Sequence, residues 1–425
     1  MSSFVASKVP ILDAPGKLKN ELYYDVDSTT IQEVEVTGVT GRFSQSLSSL
    51  NFGSVSQITI PSANFLSATF LHLELPPLLS NQSLSSGWAY SLVRNLSFNW
   101  SGANISSLQI TGETLRQIAM LESSRSKAEA RITRLGGEAI INGPSTKPIT
   151  STILLNFPWS NFDYTENGKK KPYDTSLLNG PITISIELYP ATRIYGNSSP
   201  VPASLKRAEV FTREYVLENR GNSIRSQLMA NPDLVYNYPW IHKQSSTVFN
   251  LKSLQSNTVD LGQFLNSDLL GISFAVKRKI DQQSGLISAG SPPNSNLSMQ
   301  CTDIELSYNG QSVYKCPGRS AQLINMLFSD SELGVISDTL ISTGFTADQI
   351  QSYVYLIPFG SDKNVSFRQM YDNTARYPSE TMQLTLTPQN YIPADATEHD
   401  CILEVTYYYS AAGSVKNGVM HLQFS

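Results

Sequence analysis

The sequence predicts an all-β fold: two tandem eight-stranded jelly rolls related by internal duplication, with short inserted helices. Three observations lead there. Runs that alternate apolar and polar residues recur along the 425 residues, bounded by Gly, Pro, Asn or Ser. The second half repeats the first in the same order. Only 16% of residues are charged, while 20 Tyr, 17 Phe and many Ser, Thr and Asn suit half-buried strands and polar turns.

The alternating runs, in chain order, are Phe70–Leu75, Leu96–Trp100, Ile182–Leu188, Ile304–Tyr308, Met382–Leu386 and Val405–Tyr409. Each puts every second side chain on one face, the pattern of a strand with one buried side. Helical spacing is confined to about 113–130 and 321–328, with a short piece near 224–229.

Seven segments recur collinearly at offsets between 195 and 208. Ile58-Thr-Ile60 matches Val259-Asp-Leu261, and Leu71-His-Leu73 matches Ile272-Ser-Phe274, both at 201. Leu96–Gly102 matches Ile304–Gly310 at 208, and Gly112–Leu121 matches Gly318–Leu327 at 206. Phe157-Pro158-Trp159 matches Ile357-Pro358-Phe359 at 200, and Glu187–Pro190 matches Thr385–Pro388 at 198. Glu209–Arg213 matches Glu404–Tyr408 at 195. A period near 200 exceeds the roughly 20–50 residues of solenoid and propeller repeats, so it marks two copies of a whole domain. The expected division is an N-terminal extension over 1–34, a first roll over 35–222, a linker over 223–239 and a second roll over 240–425. Asn231-Pro232 and Tyr238-Pro239 punctuate the linker.

Charge excludes some functions. Lys and Arg number 31 against 35 Asp and Glu, a net charge of −4, so the surplus that holds nucleic acid electrostatically is missing. No direct sequence-specific nucleic-acid binding is expected. Cys301, Cys316 and Cys401 are too few for a disulfide framework and read as free thiols of a reducing compartment. The first residues lack the apolar core of a signal peptide, and no run of about 18 apolar residues occurs. The N-x-[ST] triplets at Asn81, Asn95, Asn99, Asn104, Asn197, Asn296 and Asn364 read as by-products of composition.

Candidate chemistry is sparse. His72 lies within an alternating run, and His242, His399 and His421 are scattered without metal-ligand spacing. His399 and Cys401 are two residues apart and so share a strand face, but no orienting or oxyanion element accompanies them. Lys169-Lys170-Lys171 reads as a solvated loop tip. Glu113, Arg116, Glu122, Arg125, Lys127, Glu129, Arg131 and Arg134 read as one exposed, mixed-charge helix face. Tyr353, Tyr355 and Tyr407–Tyr409 read as packing residues, alternately facing a core and facing solvent or a neighbouring subunit. No catalytic, cofactor-binding or metal site is assigned, no cofactor is expected, and the chain is not read as an enzyme.

The duplicated strand and Gly turn (Leu96–Gly102 and Ile304–Gln311) and the duplicated Pro-aromatic strand (Phe157–Trp159 and Ile357–Phe359) resemble the double jelly-roll major capsid proteins. These build tailless icosahedral DNA viruses of the adenovirus–tectivirus lineage. The resemblance spans about 35–425. It implies a homotrimer whose six rolls form a pseudo-hexagonal capsomer, packed against neighbouring capsomers, penton and minor capsid proteins, in a virion assembled in the host cytoplasm. It further implies that residues 1–30, with Lys8, Lys17 and Lys19, face the shell interior and contact an internal viral membrane, a minor capsid protein or a neighbouring capsomer. The alternative is a carbohydrate-binding or glycan-acting β-sandwich protein. An enzyme would concentrate acids in one copy, whereas Glu74, Glu113 and Glu187 are matched by Ala275, Arg319 and Thr385 without clustering.

Overall fold

The computed structural model describes residues 40–46, 50–60, 65–84, 87–100, 110–121, 141–155, 157, 173–174, 179–195, 200–215, 236–246, 248–261, 269–280, 298–318, 353–358, 382–391, 394–416 and 419–424. The first half supplies β1 (Thr40–Ser46), β2 (Val55–Ile60), β3 (Phe65–Leu75), β4 (Ser83–Leu84), β5 (Val93–Trp100), β6 (Ile141–Asn142), β7 (Ile149–Leu155), β8 (Tyr173–Asp174), β9 (Ile182–Leu188) and β10 (Arg207–Tyr215). Helices α1 (Trp88–Leu92) and α2 (Gly112–Leu121) lie among them. The second half supplies β11 (Tyr236–Ser245), β12 (Phe249–Lys252), β13 (Asn257–Asp260), β14 (Leu269–Arg278), β15 (Cys301–Tyr308), β16 (Gln311–Cys316), β17 (Tyr355–Pro358), β18 (Met382–Pro388), β19 (Asp400–Lys416) and β20 (Val419–Phe424).

Every named sheet is built from one half alone, and all the pairings are antiparallel. In the first half, β1-β10-β3-β7 faces β2-β9-β5. In the second, β11-β19-β14-β17 faces β13-β18-β15-β16. The two orders are the same strand for strand. The position of β16 is held in the first half by Ile110, bridged to Leu96; its counterpart Cys316 pairs with Ile304. Each half is therefore an eight-position jelly roll.

The ladders refine the repeat. Ile184 stands between Ile58 and Phe98, and Leu384 between Val259 and Leu306. Offsets of 201 and 208 hold for the flanking strands, while β9 and β18 correspond at 200 rather than 198. In the other sheets, Leu71 stands between Val210 and Ile153, and Ile272 between Tyr407 and Ile357. With Leu71 matched to Ile272, the last strands correspond at 197 and the β7/β17 pair at 204. Pro358 then answers to Leu154, not Pro158: β17 includes Ile357, whereas Phe157 lies past the end of β7. All of these corrections are even numbers of residues, so no side chain changes face.

Alternation sets the two cores. Ile182, Ile184, Ile186 and Leu188 turn inward from β9, and Met382, Leu384 and Leu386 from β18. Helix α1 escaped sequence reading because its five residues include Trp88, Ala89, Tyr90 and Leu92, all buried, leaving no polar face to show a period. Helix α2 buries Leu115, Ile118 and Leu121 in the first core, as their spacing predicts. Its expected continuation to about 130, the expected helices near 224–229 and 321–328, and residues 1–34 lie outside the described residues.

One expectation fails in an informative way. β14 is buried along its whole length and β19 from Cys401 to Tyr409, not on one face only. The inward set, including Phe274, Val405, Tyr407 and Tyr409, belongs to the second core. Leu270, Ala275, Val354, Leu356 and Tyr408 belong to the core of the first roll. The outer face of this sheet is covered by the first roll, not by solvent.

Candidate functional site

The two rolls meet where α2 lies on the outer face of β14 and β19. The apolar stripe of α2 points into its own roll, so its other face has to be satisfied by the second roll. Glu113, Arg116, Thr114 and Gln117 occupy that face. Exposed mixed charge was expected for Glu113 and Arg116; instead their side chains are 8% and 4% exposed. Glu122, Arg125, Lys127, Glu129, Arg131 and Arg134 lie outside the described residues.

Glu113 accepts from Arg116 Nη2 at 2.8 Å and from Lys277 Nζ of β14 at 2.6 Å. Arg116 also donates to Ser298 Oγ at 2.6 Å. Gln117 Oε1 accepts from Ser273 Oγ at 2.8 Å and Thr406 Oγ1 at 3.1 Å. Thr114 Oγ1 lies 2.6 Å from Ser245 Oγ and 3.1 Å from Thr406 Oγ1. Tyr408 reaches Ser273 Oγ at 2.8 Å. Satisfied polar networks of this kind fix one relative placement of two surfaces, because any slip leaves desolvated groups without partners.

The charges are unevenly matched. Burial alone would raise the Glu113 carboxyl, but Arg116 and Lys277 hold it down at about 2. Burial, with Arg116 close by, pulls the Lys277 ammonium down to about 8, so it remains a cation at neutral pH. Glu404, on β19, is buried and its Oε2 has no hydrogen-bond partner. Burial first and the Glu113 carboxylate second push it up to about 7. Burial also lowers Arg193, which follows β9 and stacks on the Tyr189 ring at 4.5 Å.

The residues singled out in the sequence do not converge. His72 hydrogen-bonds Thr152 Oγ1 through Nδ1 at 2.8 Å. His399 meets Asp395 at 2.8 Å and Arg278 at 3.0 Å through its two ring nitrogens, while the Cys401 thiol turns to Met299 Sδ at 3.5 Å and to the His399 carbonyl. The ring is thus engaged away from the thiol. Tyr355 stacks on Phe274 at 5.1 Å and its hydroxyl accepts from the Cys301 amide at 2.8 Å, so it is a packing residue. Lys169–Lys171 and the side chains of His242 and His421 lie outside the described residues.

Among the described residues no group of three or more His, Cys, Asp or Glu is placed to hold a metal. A cavity of ≈ 140 Å³ lined by Asn250, Lys252, Asn257, Lys279 and Asp400 is smaller than the roughly 300–1,000 Å³ of small-molecule sites. Sequence reading missed Lys277 and Glu404. The available signal was Glu404, the lone charge in the apolar run Cys401–Tyr409; Lys277 carried less, since it opens the basic run Lys277-Arg278-Lys279 at the end of β14.

No family model and no curated protein matches the chain. Solved structures do. PBCV-1 VP54, fitted into a cryo-EM reconstruction of the virophage Sputnik, gives a TM-score of 0.64 at 12% identity, covering 91% of this chain and 97% of that one. The PBCV-1 virus capsid gives 0.62 at 13% identity over 91% and 97%. The Faustovirus major capsid protein gives 0.52 at 8% identity over 91% and 90%. Taken with the matching strand orders of the two halves, this likeness shows that the chain has the double jelly-roll fold found in viral major capsid proteins.

Proposed function

We propose that the chain is a viral major capsid protein, a structural subunit of an icosahedral shell. The observation that carries this reading is the junction: two rolls of one strand order are locked in a fixed relative placement by a buried network rather than joined as loose modules. A tile that is nearly sixfold needs such rigid pairs, since three chains must each supply two equivalent domains at a set angle. The likeness to capsid proteins over 91% of the chain supports the same reading.

On this reading residues 35–222 and 240–425 are the two rolls, the second reaching back past the expected linker boundary to Tyr236, where β11 begins and pairs with β19, and the chain forms a homotrimer that packs against neighbouring capsomers, penton and minor capsid proteins. Its place is the virion, with assembly in the host cytoplasm around the genome. Residues 1–30 contact an internal membrane, a minor capsid protein or a neighbouring capsomer; on a membrane, each of Lys8, Lys17 and Lys19 would contribute about 1 kcal/mol near anionic headgroups. No catalysis is part of the proposal.

Electron microscopy and light scattering of the purified chain test it. Trimers with a hexagonal outline are expected. A stable monomer at micromolar concentration would overturn the reading, because obligate interfaces often bury more than ~2,000 Å². Deleting residues 1–20 should leave trimers intact and impair shell assembly; normal particle yield would remove the role given to the extension.

A further inference from the structure

The junction between the rolls holds two opposite charges that do not meet. Glu404 stands on the outer face of β19 in the second roll, with Ala275 opposite it in the ladder. Ala275 packs in the first roll's core together with Ala191 and Ile194, which flank Arg193. Arg193 therefore reaches the junction from the first roll, just after β9. Each of the two charges acts on the other. Yet Glu404 Oε2 is buried with no hydrogen-bond partner.

The other cations beside this carboxyl are already engaged. The groups facing Glu404 are Glu113 and Arg116 of α2, Lys277 of β14 and Arg193. Arg116 and Lys277 both donate to Glu113, at 2.8 and 2.6 Å. Arg193 has no carboxylate partner among the described residues; its guanidinium lies over the Tyr189 ring, 4.5 Å from the centroid. Arg94 approaches the same ring at 5.8 Å but is bridged to Glu187 at 2.8 Å. A ring face holds a guanidinium less strongly than a desolvated carboxylate does. An ionised carboxylate left buried without a partner is costly. A swing of the Arg193 side chain off the ring satisfies both groups at once.

We propose that Arg193 and Glu404 form a proton-operated latch across the junction. With Glu404 ionised, the guanidinium leaves Tyr189 and bridges the carboxylate, tying the first roll to the second. With Glu404 protonated, it returns to the ring and that tie is released. Burial and the Glu113 carboxylate place the titration of Glu404 at about 7, so the latch works near neutral pH. Glu113 keeps hold of Lys277 meanwhile, so the latch tightens or relaxes the junction without opening it. It belongs to the junction itself, whatever assembly the chain forms.

Cryo-EM or crystal structures of the full-length wild type at about pH 5 and about pH 8 read the latch directly. Arg193 should lie over Tyr189 at the lower pH and within hydrogen-bond distance of a Glu404 oxygen at the higher. The same separation at both would overturn the latch. A double-mutant cycle of Glu404→Gln and Arg193→Gln, read by denaturant unfolding at one chain concentration, measures it in solution, with circular dichroism to verify the fold. The two substitutions should be coupled about tenfold in the unfolding equilibrium at about pH 8 and less than about twofold at about pH 5. His72, which burial lowers from 6.5, is common to all four chains, so its slope cancels. Equal coupling at the two pH values would overturn the proposal.

Discussion

Gly318 stands so close to the backbone of Cys301 that a Cβ added to it would lie 1.5 Å from the Cys301 carbonyl oxygen. Gly112 repeats the arrangement, with the carbonyls of Tyr90 and Val93 at 1.8 and 2.8 Å from its would-be Cβ. Val93 and Cys301 are matched by the same 208-residue offset that relates β5 to β15. Backbone cannot yield as a side-chain tip can, so Gly112→Ala and Gly318→Ala should each destabilise the chain by about 1–3 kcal/mol or more. Denaturant midpoints check this; a shift below about 0.5 kcal/mol for either variant would mean that the close approach is not needed.

Glu113 and Lys277 tie the rolls together. Removing the carboxylate in Glu113→Ala leaves Arg116 and Lys277 buried without their acceptor, a loss of about 3–5 kcal/mol. The folded Glu113 carboxyl, at about 2, is below its ordinary 4.5, so its contribution is present above pH 4.5 and is lost as pH falls from there through about 2. Acid unfolding of the wild type should show this loss, and the variant should lack that part of the transition.

Glu404 has the opposite sign. Its folded value of about 7 exceeds the ordinary 4.5, so the fold binds an extra proton. Stability is highest below pH 4.5 for this group, declines as pH rises through about 7, and is then flat. The groups facing it are Glu113 and Arg116 of α2, Lys277 of β14 and Arg193 after β9. Glu404→Gln should remove a decline of order 1–3 kcal/mol between about pH 5 and 8. His72, which burial lowers from 6.5, contributes the reverse slope, so the readout is the wild-type minus variant difference. A difference that does not change with pH would contradict the assignment.

The three cysteines should behave as core residues. Cys301 and Cys401 are fully buried and Cys316 is 8% exposed. Burial, with Cys401 nearby, pushes the Cys301 thiol well above its ordinary value, which removes the reactive thiolate. A thiol reagent should label none of the three in the native chain and all three after unfolding. Fast native labelling of Cys401 would reopen a reactive role for it beside His399.

Six of the strands, and the duplication that relates the halves, were legible in the sequence. Period-2 alternation in Ile182–Leu188 and Met382–Leu386 specifies one buried face each, and the structure buries the apolar residues of both runs. Local pattern suffices there because an inward face needs only its own sheet partner. It could not determine what covers the outer face of β14 and β19. Tyr407 and Tyr409 go to one core and Tyr408 to the other, and the identity of the second cover depends on where an entire roll is placed. Nor could it separate Glu113 and Arg116 from an ordinary solvated helix face, since the i,i+3 pattern is the same until Lys277 arrives from a strand 164 residues away. The junction was thus decided by tertiary structure: desolvation acts on whatever a surface happens to meet, and that meeting is not encoded in local spacing.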